Sequence, residues 1–435
     1  MIRVATTTMF EQGVFNLQKG QADVFRTQDQ IATGRRVRTP ADDPVAAARM
    51  LEVEQSKSVT EQYVRNADSA QTALGLGENA LTSVTSLLQD VRTLVINAGD
   101  GAMSGNELRS MATELRGRYQ ELLGLANSTD GNGQYLFSGY QGATRPFGET
   151  APGTVTYFGD QGARLVQISA SRQVPVSDAG SDIFQLIKNG NGTFVTAAPT
   201  TNTGTGVISP GTVTDPAKWN AAGNPQDFSV VFHVDSTVFP PVTTYDIVDN
   251  VNNVSLTTGA APGAGPFLRT YTDGGTIVLR SQVPPDTNPA AFDYGAEISI
   301  DGTPADGDTF TLQASTNEDM FTTLNDLITA LETAQNTDTG NARLANDLNT
   351  APSNLDRGLD NVMRVRSEIG TRLRETDDTQ SAQSDLAVQH DSTLSELRDL
   401  DYAKAISELS KQQIIYEAAQ KSFAKVQGLS LFDFL

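Results

Sequence analysis

Apolar positions near both ends of the chain advance in alternating steps of four and three. Phe10, Val14, Leu17, Gln21, Val24, Gln28 and Ile31 form one series; Ala405, Leu409, Gln412, Tyr416, Ala419, Phe423 and Val426 form the other. Both read as helical heptad seams diluted by glutamine, with coiled-coil spacing. Such a seam is weak in isolation. The two terminal helices are therefore expected to pair and to leave their outer faces to neighbouring molecules. The expected assembly interface is Phe10, Val14, Leu17, Val24, Ile31, Leu409, Tyr416, Phe423 and Val426.

The pattern between the seams sets the architecture. Residues 1–33 read as one amphipathic helix that stops at Gly34, with Arg35, Arg36 and Arg38 suited to a helix C-terminus. Pro40 forbids direct continuation. Asp42-Asp43-Pro44 restarts the helix with an acidic cap and a proline at the first helical position. The run 45–94 holds few breakers, apart from Gly75 and Gly77, and predicts a rod of ~75 Å. Gly99-Asp100-Gly101 ends it. A second helix over 106–126 turns back with Leu108, Met111, Leu115, Leu122 and Leu125 inside. Composition then shifts. Residues 127–176 alternate like short hairpin strands, as in Val155-Thr156-Tyr157-Phe158 and 164–168. Residues 178–315 are rich in Thr, Asn, Gly and Pro, with strand-like runs at 228–234, 243–248, 276–280, 296–300 and 308–313. Helix returns at about Asp319, is expected to break at Pro352, and resumes over 354–400.

The expected fold is mainly α with a β insertion. Long antiparallel helical rods come from the N- and C-terminal segments, joined to a β-hairpin region and an inserted all-β outer domain. The expected partition is 1–40 with 400–435 as paired terminal helices, 41–177 with 316–399 as the rods and hairpins, and 178–315 as the variable outer domain.

Charge narrows the partners. The 435 residues carry 31 basic and 52 acidic side chains, a net charge of -21. Nucleic acid and anionic membrane surfaces are poor partners for such a chain. Bases are sparse in 151–320, where 17 acids stand against 6 bases, so that part reads as acidic and solvent-facing. The sequence has no cysteine, hence no disulfide and no thiolate metal site. It shows no apolar run of membrane-spanning length and no cleavable leader near Met1. These features suit a cytoplasmic protein, or one exported by a route that needs no cleaved signal.

Candidate chemistry is sparse. His233 and His390 lack companions at metal-ligand spacing. Gly75-Leu76-Gly77-Glu78-Asn79-Ala80 has the letters of a dinucleotide fingerprint but follows a helix, where a strand is needed. Asp306-Gly307-Asp308 reads as a turn between strands, since a calcium loop needs a distal Glu. No catalytic residue, metal ligand or cofactor is expected. The patch Gly133-Gln134-Tyr135-Leu136-Phe137-Ser138-Gly139-Tyr140 reads as a glycine-flanked turn that packs a strand against the rods or touches a neighbour.

Several segments together resemble the bacterial flagellin family, and more closely its hook-associated branch. Residues 30–37 and 39–46 (Gln30-Ile31-Ala32-Thr33-Gly34-Arg35-Arg36-Val37, then Thr39-Pro40-Ala41-Asp42-Asp43-Pro44-Val45-Ala46) are similar to its helix start. So are Asn66-Ala67-Asp68-Ser69-Ala70 and Asp401-Tyr402-Ala403 with Ile406, Ser407 and Ser410. Asn132 to Gly139 and the ending Gly428-Leu429-Ser430-Leu431-Phe432-Asp433-Phe434-Leu435 resemble the hook-associated branch. The likeness covers about 1–176 and 316–435. It implies a non-enzymatic structural subunit of a ring between the flagellar hook and filament, extracellular and exported unfolded by the flagellar type III apparatus. Implied partners are another hook-associated junction protein, flagellin, an export chaperone at the C-terminal segment, and further copies of itself. Two alternatives stand beside it. One is a filament flagellin. The other is a secreted carbohydrate-binding or hydrolytic protein whose site lies in 178–315, with Trp219, Tyr245 and Tyr271 as a sugar platform; the same aromatics also read as β core.

Overall fold

The structure, a computed structural model, describes residues 6–99, 103–263 and 265–428. The tail 429–435 and the Asp100-Gly101 part of the expected stop lie outside them. Helices α1 (Thr6–Thr33), α2 (Pro44–Ala98) and α3 (Gly105–Ala126) precede the β region. The short α4 (Gly180–Phe184) and α5 (Pro216–Trp219) lie within it, and α6 (Met320–Thr333), α7 (Asp338–Arg398) and α8 (Tyr402–Gly428) follow. The chain forms two compact units. One holds the described residues up to Asp68, the hairpin tip Gln167–Arg172, and those from Asp377 onward; the other holds 69–166 and 173–376.

The first unit is thinly cored. Among its described residues the buried apolar side chains are Val37, Ala46, Ala67, Ile168, Leu394 and Ala405. Three of the six are alanines, so little apolar area leaves water. Polar contacts link its segments: Asn66 Nδ2 donates to the Gln167 carbonyl at 2.8 Å, and Lys57 pairs with Asp391.

The second unit is well cored. Ser104 caps α3 and the Glu107 carboxylate accepts its N–H at 2.7 Å, a reciprocal capping box. Leu108, Leu115 and Leu122 are buried as the spacing predicts, joined by Tyr119 and Leu123; Met111 and Leu125 are half-buried. Arg118 reaches Asp90 of α2 at 3.3 Å and Arg116 reaches Glu332 of α6 at 2.8 Å. The glycine-flanked patch delivers Phe137 into an aromatic cluster. Its ring lies 5.7 Å from Phe184, Phe184 lies 5.4 Å from Phe147, and Phe147 lies 5.5 Å from Phe321 of α6. Phe184 thus packs with the hairpin strands Phe147–Ala151 and Thr154–Tyr157 and with α6, so the expected boundary at 178 falls inside this packing.

Strands Leu165–Ser169 and Arg172–Pro175 pair with each other, as do Ile187–Lys188 and Asn317–Glu318, and the other strands form two antiparallel sheets around one core. Strands Val254–Ser255, Val242–Asp249, Asp227–Asp235, Thr309–Ala314 and Phe194–Ala197 lie in that order in the first, and Arg269–Thr270 also pairs with Val242–Asp249. Strands Thr276–Arg280, Asp293–Asp301 and Val207–Ile208 form the second, with Thr212–Val213 also on Asp293–Asp301. All five strand-like runs of the sequence appear. Phe228, Val230 and Phe232 alternate inward from one sheet and meet Ile277, Ile298 and Ile300 from the other. A buried ion pair sits beside them: Arg269 Nη2 lies 2.7 Å from Asp286, with both side chains 1% exposed.

Pro352 does not break the helix; it lies inside α7. Its ring removes one amide donor and crowds the preceding turn. Tertiary contacts hold the helix through it. Leu348, Ala351 and Leu355 are buried, and the side chains of Asn346, Asn349 and Asn354 bond to the β region around Gly206, Ile208 and Gly190.

The aromatic cluster joins hairpin, α3 and α6. Phe321→Ala is expected to destabilise the second unit by about 3–5 kcal/mol. Chemical denaturation followed by far-ultraviolet circular dichroism measures this, and a loss under ~1 kcal/mol would mean the cluster is not a structural joint.

Candidate functional site

Helices α1 and α8 lie side by side, in antiparallel sense, within the first unit. Beyond α1, Gly34 takes φ +70°, a left-handed conformation that ends the helix at little cost for glycine. The chain then crosses the junction of α7 and α8. Leu400 N–H donates to the Gly34 carbonyl at 2.9 Å and Arg36 N–H to the Arg398 carbonyl at 2.7 Å. Arg36 was expected to serve the end of α1 with Arg35 and Arg38. Instead its guanidinium donates to the Leu397 carbonyl of α7 at 2.7 Å and pairs with Asp43 at 3.2 Å. The last turn of α7 leaves carbonyls without helical donors, and this side chain satisfies one. Arg38 pairs with Asp29 in α1.

The acidic restart forms as the sequence predicts. Asp43 Oδ1 accepts the Ala46 N–H at 3.0 Å, with Pro44 first in α2. Asp42 accepts the Thr39 N–H at 2.9 Å. Those amide bonds hold both carboxyls below their ordinary value of 3.8. The Ser395 hydroxyl, and then Arg398, do the same to Asp399. Because the folded values are depressed, the contribution of these groups is complete above the unfolded value and is lost as pH falls through the folded ones.

The seam itself runs along α1 and α8. On α8 the series Ala405, Leu409, Gln412, Tyr416, Ala419 and Phe423 is the buried or half-buried stripe, as expected. On α1, Leu17, Val24 and Ile31 are half-buried, and so is Val14. Gln21 and Gln28 are exposed. Gly20 and Thr27 take their places, and Gly13 joins Val14 at the inner face. Phe10 is half in water, but its ring lies 5.4 Å from that of Phe423. The Thr27 hydroxyl donates to Gln412 Oε1 at 2.9 Å, a polar bond inside the seam. Gly13, Gly20 and Thr27 carry no apolar signal at the heptad steps; their seven-residue spacing is the signal that marks them. Val426 lies in the last turn of α8.

The outer faces of the pair are apolar in places. Phe15 and Phe25 are each 60% exposed, and Ile414 is 68% exposed.

The other candidate sites resolve into structure. The His233 ring lies 2.7 Å from Asp306 and stacks on Phe267. Asp308 accepts amides from Thr203, Gly204 and Ala305, so the Asp306-Gly307-Asp308 segment is a turn. Among the described residues no three potential ligands gather for a metal. Gly75 to Ala80 lies in mid-α2. The sugar platform is overturned: Trp219 and Tyr245 are buried in the β core, and the Tyr271 hydroxyl bonds to the Ile300 and Gly302 carbonyls.

The bacterial flagellin N-terminal helical region matches residues 4–142, and the bacterial flagellin C-terminal helical region matches 353–435. The chain belongs to the bacterial flagellin family, in its hook-associated branch. Flagellar hook-associated protein 3 of Salmonella typhimurium is 26% identical over 432 residues, covering 99% of both chains. The crystal structure of the flagellar junction protein FlgL from Legionella pneumophila superposes with a TM-score of 0.67 at 26% identity, over 81% of this chain and 100% of that one. A flagellin of Serratia marcescens is 28% identical, but over 30% of this chain and 37% of its own. The flagellin-family regions thus take in α1, α2 and α3 at one end and most of α7 with α8 at the other.

Charge in the seam tests it as an assembly surface. Leu409→Asp places a carboxylate in the half-buried stripe, at a cost on the order of several kcal/mol. Filament number per cell should fall at least about tenfold, while residues 45–395 stay folded, read as a protease-resistant core of the purified chain. Lys411, exposed and paired with Glu408, is the control. Lys411→Glu should be nearly silent, and wild-type filament numbers with Leu409→Asp would remove the stripe from the interface.

Proposed function

We propose that the chain is a structural subunit of the bacterial flagellum at the junction between hook and filament, exported unfolded and assembled through its paired terminal helices. One observation carries this reading. Similarity to hook-associated protein 3 extends over 99% of both chains, whereas the flagellin likeness stops at about a third. The end-to-end pairing of α1 and α8, with apolar side chains left outward, supports assembly through the termini. Its neighbours would be another hook-associated junction protein on one side and flagellin on the other, with copies of itself closing a ring. An export chaperone would hold the C-terminal segment beforehand. The net charge of -21 supports protein partners over nucleic acid or anionic membrane. The two sheets within 178–315 serve as an outer domain, and the acidic excess there supports a solvent-facing position.

Immunogold labelling of intact cells tests the location. A single band at the distal end of the hook is expected; label along the whole filament would make the chain a flagellin, and unlabelled flagella would refute the assignment. The outer sheets are expected to be dispensable for joining hook to filament. Replacing residues 191–314 by a short flexible linker keeps Phe184 in its aromatic cluster. Cells carrying that variant should still build filaments. Lost filaments with normal export and normal helical content would give the sheets a role in the joint.

A further inference from the structure

The seam between α1 and α8 alternates in side-chain size from layer to layer. Gly13, Gly20, Thr27 and Gly34 stand seven apart at the N-terminal side, and Phe423, Tyr416, Leu409 and Tyr402 stand seven apart, in reverse, on α8. Three of these layers are fixed by distance. A Cβ on Gly13 would lie 2.7 Å from the Phe423 ring, on Gly20 3.3 Å from Tyr416, and on Gly34 2.9 Å from the Tyr402 hydroxyl. Buried Thr27 and half-buried Leu409 complete the series at the same spacing. At two of the three layers between them the order reverses: by the same register Leu17 and Ile31 of α1 stand level with Ala419 and Ala405 of α8, while Val24 stands level with the longer Gln412.

This alternation discriminates between registers. A half-heptad slip would set Leu17 or Val24 against an aromatic ring and leave glycine facing alanine. Such a seam is overpacked in one layer and hollow in the next. A slip of a whole heptad would keep the alternation. It would also break the two main-chain bonds at Gly34 and Arg36 and the bond from Thr27 to Gln412. Register further decides which apolar side chains face outward, because rotating or sliding α8 would move Ile414 relative to Phe15 and Phe25.

We propose that this size ladder is a specificity device, with Gly13 and Gly20 as positioning residues. It makes α1 accept the C-terminal helix of its own chain in one antiparallel register and reject apolar helices without bulk at that seven-residue step. The proposal rests on the reading of the terminal helices as the assembly surface, whose outer face the ladder holds in one arrangement.

The cysteine-free sequence permits a direct test on the full-length chain. Two double variants are oxidised at low protein concentration. Leu17→Cys/Ala419→Cys is level in the ladder, and Leu17→Cys/Gln412→Cys is offset by one heptad, about 10 Å along the helix. The level pair should form its intramolecular disulfide about ten times faster. Gly20→Leu added to the level pair should slow closure about tenfold by overpacking against Tyr416. Adding Tyr416→Ala as well should restore the rate to within about twofold, a rescue that general damage to α1 would not show. Gly13→Leu with Phe423→Ala should repeat the pattern one heptad away. Equal rates for level and offset pairs would overturn the ladder, and so would an unaffected Gly20→Leu or a loss that Tyr416→Ala fails to relieve. Closure is read on purified chain and does not depend on where the protein is incorporated. A misplaced immunogold band would therefore refute the junction role without touching this result.

Discussion

Contact between the first helix and the last is the constraint on which the first unit depends. Among its described residues, six buried apolar side chains, half of them alanine, give that unit little hydrophobic drive of its own. The seam adds a line of half-buried residues, one polar bond between Thr27 and Gln412, and two main-chain bonds where Gly34 and Arg36 meet the α7–α8 junction. None of these is strong alone. Their placement along one line, from Phe10 and Phe423 to Gly34 and Leu400, makes them cooperative, since each bond closes only if α8 lies in register with α1.

The second unit is built on the opposite principle. Its aromatic cluster ties Phe137, Phe147, Phe184 and Phe321 from four separate segments, and its two sheets close around Phe228, Phe232 and Phe310. Arg269 and Asp286 are sequestered together there, with the guanidinium also bonded to the Val278 and Arg280 carbonyls. Removing either partner would strand a buried charge, so the pair specifies how the surrounding loops close more than it adds net stability. Stability concentrated in one unit and apolar surface left open in the other is the distribution expected of a subunit whose ends are completed by neighbours.

Much of this was legible in the sequence. The heptad steps located α1 and α8, Asp43-Pro44 fixed the start of α2, Asp319 the start of α6, and the five strand-like runs each became a strand. These signals are local: period, cap and turn chemistry act within a few residues. The errors have tertiary causes. Pro352 carries a strong local stop signal, but buried Leu348 and Leu355 and three asparagines bonded to the β region outweigh it. The Arg35, Arg36 and Arg38 cluster looked complementary to α1 because α1 precedes it, whereas the carbonyl that Arg36 satisfies is 361 positions away in α7. In the N-terminal seam, glutamine at the expected steps hid the true inner residues, which are the small neighbours one position earlier.

Those small neighbours bear on how the helix forms at all. Gly13 and Gly20 lie in the interior of α1, where each glycine costs roughly 1 kcal/mol of helix stability relative to alanine. Thr27 is a poor helix former as well, through restriction of its branched side chain. A helix 28 residues long with such positions facing inward is poorly stabilised by its own propensity. The same three positions are where α8 approaches: Phe423 and Tyr416 stand over the glycines and Gln412 bonds to the threonine. Replacing the glycines by alanine would strengthen the isolated helix and crowd the pair. The sequence has therefore given up local propensity for close approach, which couples the formation of α1 to the arrival of α8. The first helix thus becomes worth forming only when the last one is present.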